Sequence, residues 1–271
     1  MIETAIRPAG LYSLKLTTGT DTWKAKLTAG GWAKARQLQD GAVLVRGSSE
    51  RAVTEARFLL ALDDDTSEFH RRFARDRVLG PSVRQLRGLR PRRTATVAHA
   101  ALRAICGQLI QSSRAREIER TVIRANGEDP PTREALARLS PARLCQCGLA
   151  ASRAATLARL VRTLDLESLK AARSTTALAR LSRVRGIGPW SVGVVALQGL
   201  GRYDTGLVAD LGLVKLYASL CGRWPEEPAE TAELLSPYGE WQGLASVFLL
   251  AGFARGLVPG ASADRARLLR A

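Results

Sequence analysis

A chain of 271 residues, 46% of them hydrophobic, is long enough for an ample apolar core and for more than one compact unit. It has 41 Lys and Arg against 25 Asp and Glu, a formal net charge of +16, which makes nucleic acid the first partner to consider. No apolar run is long enough to span a bilayer and none follows Met1-Ile2-Glu3, so neither a membrane span nor a secretory leader is expected, and a cytoplasmic location is. Only six of the basic residues are lysine, as mutational bias towards arginine would produce, but such bias exchanges one cation for another without creating the excess.

The first ninety or so residues read as a small α/β region. Leu11–Leu16, Trp23–Leu27 and Ala42–Arg46 run or alternate as short strands between glycine turns. A helix is predicted over Glu50–Leu62, and Asp63-Asp64-Asp65-Thr66 supplies caps for another starting near Ser67. Arg84, Arg87, Arg90, Arg92 and Arg93 follow, either as phosphate contacts or as a solvated linker face. Helical periodicity then dominates to the C-terminus, broken at Asn126-Gly127, Asp129-Pro130-Pro131, Ser140-Pro141 and Gly148. Cys106, Cys145, Cys147 and Cys221 match neither zinc-ribbon nor redox spacing and read as reduced thiols, mostly filling core.

The informative stretch is Leu181–Lys215. Apolar Leu178, Leu181 and Val184 end one helix, Arg185-Gly186-Ile187-Gly188 turns the chain, and Pro189 opens the next helix where its missing N–H costs nothing. Exposed amides at Gly188 and the new N-terminus, with the positive end of the helix dipole, suit a phosphate oxygen. By itself Gly-Ile-Gly reads more readily as a plain helix–helix turn. Trp190, Val194 and Leu197 continue at helical spacing until Gly199–Gly201, and Val208-Ala209 leads into Asp210 at the edge of a helix predicted over Leu211–Leu220. Asp210 reads as a helix cap, a role compatible with chemistry because it holds the carboxylate in a fixed direction.

This segment resembles the helix-hairpin-helix (HhH-GPD) DNA glycosylase superfamily, in which the hairpin is followed by a Gly/Pro-rich loop and a catalytic Asp. The Asp-Leu-Gly-Leu wording is similar to the bacterial 3-methyladenine glycosylase branch. Ile105-Cys106-Gly107-Gln108-Leu109 resembles that branch's Ile-Leu-Gly-Gln-Leu, and Pro237-Tyr238-Gly239-Glu240-Trp241 the start of its last core helix. The matches cover about Gly88 to Gly256, in the family's order.

The resemblance implies a mostly α, α+β fold: a small N-terminal antiparallel β-sheet domain over 1–88, then a two-subdomain all-helical core over 89–271 with its hairpin at 178–199. It implies a monomer that acts on double-stranded DNA with a damaged base, turning the nucleotide out and hydrolysing its N-glycosidic bond. Asp210 would be the catalytic carboxylate. Leu109 would fill the gap and Gln108 lie beside the opened pair. Trp190, Val194, Tyr238, Trp241 and Val247 would line the base pocket, although Val194 and Val247 stand where the branch has aromatics. Arg185, Gly186, Ile187, Gly188 and Pro189 would grip the DNA backbone. The carbonyls of Ser182, Val184 and Gly186 would hold a structural Na+ or K+. No cofactor is required, and the four-cysteine iron–sulfur loop of the endonuclease III-like relatives is lacking. Trp190 occupies the position of the lysine that gives bifunctional members lyase activity, so the reaction should stop at an abasic site; Lys215 is the alternative amine. A non-catalytic hairpin module, a lyase-type nuclease, and a glycosylase for deaminated, oxidised or bulky bases remain alternatives.

Overall fold

The computed structural model describes residues 1–108, 110–127 and 129–269. In chain order its elements are β1 (Ile2–Ile6), α1 (Leu14–Thr18), β2 (Thr22–Lys26), β3 (Trp32–Gln37), β4 (Val43–Gly47), α2 (Glu50–Leu59), α3 (Ser67–Phe73) and α4 (Gly80–Gln85). They continue as α5 (Val97–Gly107), α6 (Ser112–Asn126), α7 (Arg133–Ala137), α8 (Pro141–Gln146), α9 (Ala151–Thr163), α10 (Ser174–Ser182) and α11 (Pro189–Val194). The last are α12 (Leu211–Cys221), α13 (Thr231–Leu235), α14 (Gln242–Phe253) and α15 (Ala263–Leu268). None of the described helices is long and apolar enough to cross a membrane.

The chain divides into two compact units, one made of residues 1–25, 32–92 and 203–271, the other of 26–31 and 93–202. This differs from the expected division at residue 88. The break falls at Arg92, and the last quarter of the chain groups with the sheet and not with the preceding helices.

In the first unit the strands form an antiparallel sheet of order β1-β4-β3-β2. Ala33 and Ala35 on β3 and Val43 and Val45 on β4 turn to the buried face, where α2 packs Ala52, Val53, Ala56 and Leu59. Lys34, Arg36 and Arg46 turn outwards. The expected strand over Leu11–Leu16 is absent; Leu14, Lys15 and Leu16 enter α1, because Ser13 Oγ caps the Leu16 amide and so starts a helical turn. Strands β1 and β3 were not anticipated. Beneath α14, Phe69, Phe73, Tyr238, Trp241 and Phe248 form one aromatic cluster with ring centroids 5.1–5.8 Å apart, each ring contributing roughly 2–3 kcal/mol by burial.

Arg90 and Arg93 are neither phosphate contacts nor a solvated face. Arg90 is 1% exposed and its guanidinium donates to the carbonyls of Ala61, Ala9 and Leu11. Arg93, also buried, donates to Gly201 O at 3.1 Å.

In the second unit α5 is buried along most of its length and packs against α6, α9, α11 and the π-turn Val195–Leu200 that continues α11. Gly199 lets that turn close on α5, since a Cβ there would lie 2.9 Å from Ala100 Cβ. Glu119 of α6, 6% exposed, joins His99 and Arg103 of α5, and Arg103 reaches Gln198 in the π-turn. Burial raises the Glu119 carboxyl, but the His99 hydrogen bond and the Arg103 charge outweigh it and hold it at about 2.

Candidate active site

The hairpin is built as its residues dictate. α10 ends at Ser182, the Ile187 amide closes the turn on Val184 O at 3.0 Å, and Pro189 starts α11 with Val192 N–H on Gly188 O. Gly186 has φ +94, and a Cβ there would lie 2.3 Å from the hydroxyl of Thr156 on α9, so backbone and space both require glycine. Gly188 is different. Its backbone is extended (φ −89, ψ 177), and nothing stands within 4 Å of where its Cβ would be. Ile187 is buried, whereas Arg185, Gly186, Gly188 and Pro189 are exposed.

Two side chains outside the hairpin fix it. Arg159 of α9 donates to Arg185 O at 3.0 Å, and the Gln108 amide donates to Gly186 O at 2.9 Å and to Ser191 Oγ at 3.0 Å. Gln108, expected beside an opened base pair, thus also clamps the turn. Gly107 ends α5 against the indole of Trp190, whose Cη2 would lie 2.7 Å from an added Cβ. The Cys-Gly-Gln segment and the hairpin therefore form one packed surface. Leu109, the expected wedge, lies outside the described residues.

In the other unit Asp210 caps α12. Its Oδ1 accepts the Gly212 amide at 2.8 Å, and the side chain is half-buried. The approach to it is strained, because Ala209 has φ +67, a left-handed conformation that costs an L-residue about 1–2 kcal/mol. Two fully buried hydroxyls hold that path: Thr231 Oγ1 accepts Ala209 N–H at 2.7 Å and Ser246 Oγ accepts Leu207 N–H at 3.0 Å. Leu250 of α14 fills the space over Gly212, where a Cβ would meet it at 2.5 Å.

The expected pocket residues fare unequally. Trp190 and Val247 are half-buried, but Val194 is 4% exposed and packs as core. Tyr238 is 3% exposed, its ring edge-on to Phe73 and its hydroxyl 3.4 Å from Asp76, and Trp241 is stacked on Tyr203. Tyr238 and Val194 are thus removed from any base-binding surface. Thr156, Arg159 and Thr231 were not foreseen, since Thr and Arg are common and nothing in their spacing marks them. Among the described residues no group of three His, Cys, Asp or Glu side chains is placed to hold a metal.

The chain thus combines a small antiparallel sheet ahead of a helical region, a glycine hairpin between helices and a capped Asp on a following helix. No family model matches the chain. A DNA-3-methyladenine glycosylase of Bacillus subtilis (strain 168) is 27% identical over 206 residues, 69% of this chain and 67% of that one. A 3-methyladenine DNA-glycosylase from Archaeoglobus fulgidus has the same fold, with a TM-score of 0.77 at 20% identity over 94% of this chain and 99% of its own. So has a Clostridium acetobutylicum 8-oxoguanine glycosylase/lyase in complex with double-stranded DNA, with a TM-score of 0.76 at 16% identity over 95% and 99%. The chain is thus similar in sequence to a DNA-3-methyladenine glycosylase and shares its fold with DNA glycosylases.

Proposed function

We propose that the protein is a monofunctional DNA glycosylase of base excision repair that turns out an alkylated base and hydrolyses its N-glycosidic bond. Breaking C1′–N sends the bonding electrons to the base and leaves positive charge on the deoxyribose. A carboxylate beside that sugar stabilises the charged state more than the neutral substrate, and water adds at C1′ with loss of a proton. Asp210 takes this part. Its direction is set by the Gly212 amide and by the strained, hydroxyl-pinned approach through Ala209. Binding to DNA falls to the hairpin. The single observation that carries this is Gly188: neither φ nor neighbours require glycine there, which suits a backbone that meets an outside surface.

Trp190 stands where a Schiff-base lysine would be needed, so release of the base should leave the strand uncut. In the same reading the carbonyls of Ser182, Val184 and Gly186 hold Na+ or K+ against a phosphate. Val184 O and Gly186 O already accept the Ile187 amide and the Gln108 side chain, and each keeps a second lone pair for such an ion. The likeness to a DNA-3-methyladenine glycosylase over two thirds of both chains supports an alkylated purine as the substrate.

The test is an excision screen on duplexes carrying one 3-methyladenine, 7-methylguanine, hypoxanthine, ethenoadenine or 8-oxoguanine, with borohydride present in parallel. Release of a methylated purine, with nicking only after alkali and no trapped adduct, is expected. No release from any duplex, or a borohydride-trapped protein–DNA adduct, overturns the reading.

A further inference from the structure

The resemblance puts Gln108 beside an opened base pair, yet in the fold its amide is committed elsewhere. A carbonyl oxygen only accepts, so the atom that faces Gly186 O at 2.9 Å has to be the Gln108 nitrogen. The same nitrogen lies 3.0 Å from Ser191 Oγ. Its two hydrogens thus have one partner each, and neither is left for the edge of a base.

Both partners belong to the hairpin. Gly186 is the left-handed residue of its turn and Ser191 lies in the first turn of α11, so one amide sets the turn against the helix that follows it. Gly107 makes the reach possible, because the Trp190 indole stands where a Cβ would be and the end of α5 can close on the hairpin. Gln108 is where the backbone leaves α5, with φ −58 and ψ 120. The turn is exposed at Arg185, Gly186 and Gly188, and a backbone amide keeps a phosphate oxygen only within about 2.7–3.2 Å, so its position has to be held from behind. Ser191 is 2% exposed and out of reach of DNA.

We propose that Gln108 is a positioning residue of the hairpin and not a reader of the opened pair: its amide holds Gly186 and Ser191 in the register that receives the DNA backbone. This rests on the hairpin being the grip of the proposed glycosylase, and it assigns to a half-buried side chain of α5 a part in DNA affinity that involves no contact with a base.

The test is a double-mutant cycle on the full-length protein, read as affinity for an undamaged duplex and as excision opposite each of the four bases. Gln108→Met keeps the length and removes both donors, and should weaken duplex binding about tenfold. Ser191→Ala removes one of the two bonds from a side chain that DNA cannot reach, and should weaken binding about threefold. The double variant should match Gln108→Met alone, because Ser191 acts only through that amide. The ratio of excision rates opposite A, C, G and T should stay as in the wild-type protein throughout. Wild-type affinity in Ser191→Ala, losses that multiply in the double variant, or an altered ratio in Gln108→Met overturns the proposal. Should Gln108→Met show no cooperative urea transition, Ser191→Ala decides by itself. Gly188→Ala, changed on the exposed edge of the same turn, keeps this proposal apart from the reading beneath it: affinity lost there and kept in Ser191→Ala defeats the positioning role alone, whereas affinity kept in both removes the hairpin from DNA and defeats both.

Discussion

Gly186 and Gly188 sit two positions apart in one turn yet answer to different constraints. Gly186→Ala puts a methyl onto Thr156 at a left-handed φ, and should lower stability by about 2 kcal/mol or more in urea unfolding. Gly188→Ala should leave stability within about 0.5 kcal/mol and weaken duplex binding roughly tenfold, about 1.4 kcal/mol; unchanged affinity would remove the hairpin from the DNA interface. Around Asp210 the same logic separates strain from support. Ala209→Gly relieves a left-handed alanine and should raise stability by up to about 1 kcal/mol. Thr231→Val leaves the Ala209 amide without its acceptor and should lower it by about 1–3 kcal/mol. Both should slow single-turnover excision while leaving DNA affinity as it was, because both loosen the direction of one carboxylate; equal rates in both variants would show that the strain positions nothing. Gly186, Pro189 and the Asp210 cap were legible beforehand, because turns and caps are local chemistry that two or three residues specify. Gly188 and Thr231 acquired distinct meanings only when the space around them was known.

Helices α5 and α6 are joined through Glu119, and their union is pH-dependent. The Glu119 carboxyl titrates at about 2 in the fold against an ordinary 4.5, so it stabilises the folded state above pH 4.5 and loses that effect as pH falls towards 2. The shift corresponds to something on the order of 3 kcal/mol. Urea unfolding of wild-type and Glu119→Gln proteins should therefore differ most at pH 7, and the gap should shrink by on the order of 2 kcal/mol at pH 3; a constant gap would mean that the carboxyl keeps its proton affinity on folding. The helices themselves were well marked, α2, α3, α11 and α12 by caps and apolar spacing. The sheet was not. Strand β3, Trp-Ala-Lys-Ala-Arg-Gln, buries only alanines, too small to signal an inner face, and Leu14 and Leu16 mimic strand alternation until the Ser13 cap turns them into helix. Likeness of sequence does not report burial, so the resemblance expects Val194 and Tyr238 in the pocket where the structure has them as core.

Across the two units, burial sorts groups that composition treats alike. Two of the five arginines between residues 84 and 93 are interior braces, and two of the four cysteines are exposed. Burial pushes the Cys106 thiol up to about 12, so a thiol reagent should modify Cys145 and Cys221 at once, and Cys106 and Cys147 only on unfolding; four fast thiols would contradict the packing of α5 and α8. The helical class was legible because the hairpin and the Asp210 helix lie within one short stretch. The discontinuous unit was not, since residues 203–271 join the sheet through contacts remote in sequence. The account turns on Asp210, and single-turnover excision from a lesion-bearing duplex by wild-type and Asp210→Asn proteins tests it most directly, with duplex affinity measured on the same preparations. Affinity should be retained and the rate should fall by about 10²-fold or more; excision at the wild-type rate by Asp210→Asn would contradict it.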